Sequence, residues 1–126
     1  MKTELTAEQI EFYQTNGYLL IDGFLNDAEL AEWRTATDDA VHQRLTASTG
    51  AFEKDLNNQT NPDNFYAQVF TQCIRLADTH EGIAKIMLDE RLGQVAGTLA
   101  GVDGIRIWHD QALIKPPYGN ATSWHL

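Results

Sequence analysis

The chain has 126 residues, 43% of them hydrophobic and 21% charged, with a net charge of −9. That is length for one soluble domain or part of a larger one, and the acidity, with no run of Lys or Arg, argues against nucleic acid or an anionic membrane surface as partner, since both need a basic patch. A single cysteine, Cys73, excludes an intrachain disulfide and a cysteine-based metal site, no apolar run approaches the about 20 residues that span a bilayer, and the first residues hold no signal-peptide core; the reading is soluble and cytoplasmic.

Thr6-Ala7-Glu8-Gln9 has the form of a capping box, with Leu5 and Ile10 placed as a hydrophobic staple. The helix it starts is expected to run to about Thr15 and to end at Asn16-Gly17, where glycine supplies a left-handed residue. Residues 18–21, Tyr-Leu-Leu-Ile, read as a short strand closed by Asp22-Gly23. The same start signal then recurs: Asn26 caps, Glu29 follows three residues on, and Leu25 and Leu30 form the staple. Leu30, Trp33, Thr37, Val41 and Arg44 or Leu45 lie near one stripe of a long helix that reaches Leu45 or Thr46. Residues 47–60 are polar and read as a surface loop.

Asn61-Pro62 starts a third helix, with Phe65, Val69, Cys73 and Leu76 at helical spacing. Residues 78–81 punctuate, and residues 83–88 form a short helical segment. Asp89 caps a further helix in which Leu92, Val95, Ala96 and Leu99 share a face, and Gly101 follows its end. A strand region opens at about Asp103. Along residues 104–115, Ile105, Ile107, His109, Gln111 and Leu113 fall on one side, and Arg106, Trp108, Asp110 and Ala112 on the other. Pro116-Pro117-Tyr118-Gly119-Asn120 interrupts it before a new segment begins at Ala121. The order is helix, strand, long helix, loop, three helices, strands, which is an α+β class.

Most polar residues have a simple structural reading. Cys73 reads as core packing, His42 as part of a polar helix face, and His80 as a helix start. Asp38-Asp39 and Asp89-Glu90 read as solvated or helix-start charges, and Trp33 and Phe65-Tyr66 as core anchors. His109, Asp110, Gln111 and His125 stay open between structural and ligand-binding roles. No His-Glu-x-x-His, phosphate loop or nucleophile elbow is present.

The ordered set of segments resembles the phytanoyl-CoA dioxygenase family of iron(II)/2-oxoglutarate oxygenases. Three stretches carry the likeness: Leu5-Thr6-Ala7-Glu8-Gln9 through Asn16-Gly17-Tyr18 to Leu25; Asp89-Glu90-Arg91-Leu92 through Leu99-Ala100-Gly101; and Arg106-Ile107-Trp108-His109-Asp110-Gln111 through Lys115, followed by Ser123-Trp124-His125. The resemblance implies the helical layer and first strands of a double-stranded β-helix, a jelly-roll or cupin-like fold. It makes residues 1–126 the N-terminal part of one such domain. Enzymes of this type hold Fe(II) with two histidines and a carboxylate on one face of an octahedron, leaving room for 2-oxoglutarate and oxygen. His125 matches the first histidine of the family's His-x-Asp and Leu126 the x; the Asp and distal histidine would lie beyond, so the chain is expected to be truncated before its full metal site. Gln111 matches a 2-oxoglutarate contact, its amide donating to a carboxylate oxygen, and Lys115 and Trp124 belong to the same pattern.

The implied activity is oxidation of a small organic substrate. The rival readings are a non-catalytic binding module or relic of such an enzyme, and a small structural α+β domain. A half-built sheet around Ile105 and Ile107 is further expected to favour self-association.

Overall fold

A computed structural model describes residues 1–46, 71–115, 117, 118, 121, 122 and 124 of the chain. Its elements are α1 (Ala7–Asn16), α2 (Asp27–Thr46), β1 (Thr71–Ile74), a 3₁₀ turn (Leu76–Asp78), α3 (Glu81–Met87), α4 (Glu90–Ala100) and β2 (Gln111–Ile114). The class is mixed α+β, with helices packed on a two-stranded antiparallel sheet.

Helix starts follow the side chains that cap them. The Gln9 N–H donates to Thr6 Oγ1 (3.2 Å) and the Thr6 N–H donates to Gln9 Oε1 (2.9 Å), which satisfies two of the N–H groups a helix start leaves over. Gly17 ends α1 at φ +79°, in the left-handed region open to glycine. At α2 the Glu29 N–H donates to Asn26 Oδ1 (2.9 Å) and the Asn26 N–H to Glu29 Oε2 (3.1 Å). His80 caps α3, its Nδ1 accepting from the Ile83 N–H, and Asp89 caps α4 by accepting from the Arg91 N–H.

The core lies between α2, α3 and one face of the sheet. Ala40 and Val41 from α2, Cys73 from β1, Leu76 from the 3₁₀ turn, and Ile83 and Ile86 from α3 form one buried cluster, with Trp33, Ala36 and Ala112 packed against it. Gly82 lets α3 approach α2 closely: a Cβ there would stand 3.1 Å from the Ala36 methyl. Helix α1 packs on α4 instead. The strands pair Thr71 with Ile114, Gln72 with Leu113, Cys73 with Ala112 and Ile74 with Gln111. Cys73 is fully buried and Ala112 half-buried, so alternation turns Gln72, Ile74, Gln111 and Leu113 to the face away from the helices.

Three sequence expectations need correction. Residues 18–21 are not a strand. Among the described residues no segment pairs with them, and an unpaired segment has no ladder to join. Tyr18 instead packs edge-on against Phe12 of α1 at 5.3 Å, and Leu20 is exposed. The helix expected through Cys73 and Leu76 is also replaced, by β1 and the 3₁₀ turn, while residues 61–70 lie outside the described residues, as does the loop read at 47–60. A spacing of four, as from Val69 to Cys73, is even, so it places side chains on one side of a strand as well as of a helix. Finally, only Gln111–Ile114 of the strand read over 104–115 is strand. Its partner turns away at Arg75, which adopts φ +59°. One more bond follows, from the Arg75 N–H to the Asp110 carbonyl (2.9 Å), and residues 105–109 run on unpaired in β1–β2.

That turn is held from two sides. The buried Arg44 donates to the carbonyls of Ile74 (2.8 Å) and Arg75 (3.2 Å) and to Thr79 Oγ1 (3.1 Å). The Asp110 carboxylate accepts from the N–H groups of Leu76 (2.8 Å) and Ala77 (3.1 Å). The carbonyls on one side of a sharp reversal and the N–H groups on the other therefore each have a side-chain partner. Replacing Arg44 with Ala leaves carbonyls unpaired in the core, and urea unfolding should show a loss of about 2–4 kcal/mol. Arg34→Ala, on the exposed face of the same helix, should stay within about 0.5 kcal/mol of the parent.

A second polar cluster ties the starts of α2 and α4 together. Glu29 contacts the N-terminal ammonium and receives Arg91 Nη1 at 2.6 Å, while Arg91 also grips Asp89 at 2.7 Å. The ammonium, then the Asn26 N–H and Arg91, hold the Glu29 carboxyl at about 2, and Arg91 holds Asp89 at about 2. Both folded values lie below the ordinary 4.5 and 3.8. Their stabilisation is therefore complete above about pH 4.5 and is lost as the pH falls toward 2. Urea midpoints followed downward through that window should fall, and Glu29→Gln should flatten the decline; an unchanged slope in that variant would mean the cluster contributes nothing.

Candidate functional site

The sheet has two faces with different chemistry. The helix-side face is apolar, with Cys73 and Ala112 paired across the strands. The open face carries Gln72 and Gln111. Gln111 is exposed and Gln72 half-buried. They are not directly opposite each other, since Gln72 faces Leu113 and Gln111 faces Ile74. They meet on the diagonal, a distance long side chains cover: Gln72 Nε2 donates to Gln111 Oε1 at 3.1 Å. The acceptor end of the Gln111 amide is engaged, and its NH₂ is left to donate outward.

Lys115 continues the odd-numbered series Gln111, Leu113 just beyond β2. It is exposed, and its Nζ donates to Thr122 Oγ1 at 3.4 Å. This contact brings Thr122 back toward the end of β2. Trp124 is fully exposed. His125 lies outside the described residues. Alternation places Gln111 and Lys115 on the same side of the chain, at opposite ends of β2. An amide NH₂ and an ammonium are donors suited to a carboxylate.

Asp110 and Gln111, adjacent in sequence, part company. Asp110 turns to the helix side and caps the 3₁₀ turn, which accounts for both of its carboxylate oxygens. His109 is exposed and lines an open cleft of about 300 Å³ with Arg75, Asp78, Met87 and Trp108. Among the described residues no group of three or more His, Cys, Asp or Glu side chains is arranged to hold a metal ion, and no helix is long and apolar enough to cross a membrane. Sequence reasoning did not single out Gln72. The helical reading of residues 61–76 hid it; alternation about Cys73, once taken as a strand, places Gln72 and Ile74 on the face opposite the core.

The family model described as phytanoyl-CoA dioxygenase (PhyH) matches residues 13–126. The chain belongs to the phytanoyl-CoA dioxygenase family, whose members are oxygenases of the iron(II)/2-oxoglutarate type. Comparison with curated proteins and with solved structures found no match.

The split between Asp110 and Gln111 is testable. Asp110→Ala removes the partner of two N–H groups, so urea unfolding should show a loss of about 1–3 kcal/mol. Carboxylate-ligand affinity of the folded protein should stay at the parent value, because the side chain points away from the open face. A selective loss of ligand affinity with full stability would reverse the assignment.

Proposed function

We propose that the chain builds the helical layer and first strands of a double-stranded β-helix oxygenase, residues 1–126 forming the N-terminal part of a single domain, and that the open face of β1–β2, at Gln111, receives 2-oxoglutarate. The observation that carries this is the Gln111 amide, exposed on the face away from the core with its oxygen already engaged. Gln111 donates to a carboxylate oxygen of the co-substrate. Lys115, past the other end of β2, adds a positive charge, and Trp124 lends an apolar wall. His125 is the metal ligand that the family motif assigns, and Fe(II) is the metal. When bound, Fe(II) would allow dioxygen to be the oxidant, one oxygen atom going into succinate as 2-oxoglutarate loses carbon dioxide and the other into the hydroxyl group placed on a substrate C–H bond.

The donor set fits the co-substrate. A carboxylate accepts hydrogen bonds and carries negative charge, and an outward amide NH₂ is a donor that can receive it. The remaining work of these residues is orientation and the exclusion of water from the ligand. The primary substrate is a small organic molecule, and the compartment is the cytoplasm. Exposed Ile105, Ile107 and Trp108 support self-association of this chain through its uncovered edge.

Substitutions in the full-length protein test the placement. Gln111→Ala should leave Fe(II) bound and weaken 2-oxoglutarate about tenfold to a hundredfold, the worth of a hydrogen bond to a charged group. His125→Ala should abolish Fe(II) binding, because the remaining ligands are too few to hold the ion. His42→Ala, on the exposed face of α2, should change neither. Full turnover by His125→Ala, or its loss in His42→Ala, would move the site elsewhere; a folded protein that binds neither iron nor 2-oxoglutarate would favour a non-catalytic module.

A further inference from the structure

An exposed glutamine amide has two ends of nearly equal shape and opposite hydrogen-bonding sense. A carboxylate ligand only accepts, so Gln111 serves it only with its NH₂ turned outward. Left to itself on an open face, the amide would present either end. The residue directly across from Gln111 is Ile74, which has no polar group to bias the choice. The bias comes from the diagonal neighbour. Gln72 Nε2 donates to Gln111 Oε1 at 3.1 Å, which occupies the accepting end and leaves the donating end for the ligand.

Resting on the reading of Gln111 as the co-substrate donor, we propose that Gln72 is a positioning residue that fixes the Gln111 amide in its donating sense before 2-oxoglutarate arrives. Two structural facts hold the pair in this relation. The β1–β2 register is set by burial of Cys73 against Ala112, since a slip of one residue would turn Cys73 outward and both glutamines inward. Gln72 is also the less exposed of the two, so its side chain has less room to turn. The rotamer of Gln111 is thereby chosen in the ligand-free protein, and the ordering that ligand binding would otherwise require is already done.

The experiment titrates 2-oxoglutarate into the full-length, ¹⁵N-labelled protein and into its Gln72→Leu, Gln111→Ala and doubly substituted forms, with side-chain amide resonances and affinity read together. Gln72→Leu should move the Gln111 amide resonances in the ligand-free protein and weaken 2-oxoglutarate about threefold to tenfold, the worth of one neutral hydrogen bond. In the Gln111→Ala background, Gln72→Leu should cost nothing further, because the group it acts through is gone. Additive losses would mean that Gln72 touches the ligand itself and would overturn the proposal, as would unmoved Gln111 resonances. If Gln111→Ala weakens binding while Gln72→Leu does not, positioning alone fails. If Gln111→Ala leaves the affinity at the parent value, the co-substrate reading of the site fails and positioning with it.

Discussion

The reversal at Arg75 is the constraint on which the rest depends. A residue with a side chain at φ +59° is uncommon and costs energy unless its surroundings over-determine it. Here the surroundings come from distant parts of the chain. Arg44 reaches from α2 to the carbonyls on one side of the turn, and Asp110 reaches from the start of β2 to the N–H groups on the other. One guanidinium and one carboxylate thereby join the long helix, the first strand, the 3₁₀ turn and the second strand at a single point. The turn fixes where β1 stops, and so where β2 can begin to pair. It also carries the chain into α3, whose Ile83 and Ile86 complete the core beneath Cys73.

A buried arginine with backbone carbonyls for partners is a high-stakes arrangement. Its desolvation is offset only while the acceptors stay in place, and the acceptors stay only while the turn does. Cooperation of this kind suits a two-stranded sheet, which on its own is marginal and needs a packed face to persist. The helices supply that face through Ala40, Val41, Ile83 and Ile86. The second cluster, of Glu29, Arg91 and Asp89, works differently. Its members are partly solvated, so their worth depends on pH and salt. It locks the starts of α2 and α4 to each other without contributing to the core.

What the sequence made legible divides along one physical line. Local devices were readable: the capping residues Thr6, Asn26 and Asp89, the closing Gly17 and Gly101, and the α2 stripe through Val41 and Arg44 all declare themselves within a few residues. What was hidden depends on partners far along the chain. Residues 18–21 have the composition of a strand and no partner strand among the described residues. Thr71–Ile74 has the spacing of a helix and, in Gln111–Ile114, a partner. Strand identity is settled by pairing, and pairing between residues 71 and 114 is invisible to a local pattern. The same limit applies to the proposed site. Gln111 was singled out because it sits in a recognisable family segment, whereas Gln72 becomes visible only when the register brings it onto the same face.

The period of two in a strand then explains how one short segment serves both ends. Asp110 and Gln111 are consecutive, so they point to opposite sides of the sheet. The first is drawn into the fold, where a carboxylate is wanted by two N–H groups. The second is left outside, where an amide can meet a ligand. A shift of one residue would exchange them: the carboxylate would stand on the open face, and the amide would enter the clamp without the charge that makes it strong. The register is held by apolar packing of Cys73 and Ala112 on the helix side. The donor face of this sheet is therefore maintained from its other side, by the core, and the precision of the outer amides is a consequence of how tightly the inner face is packed.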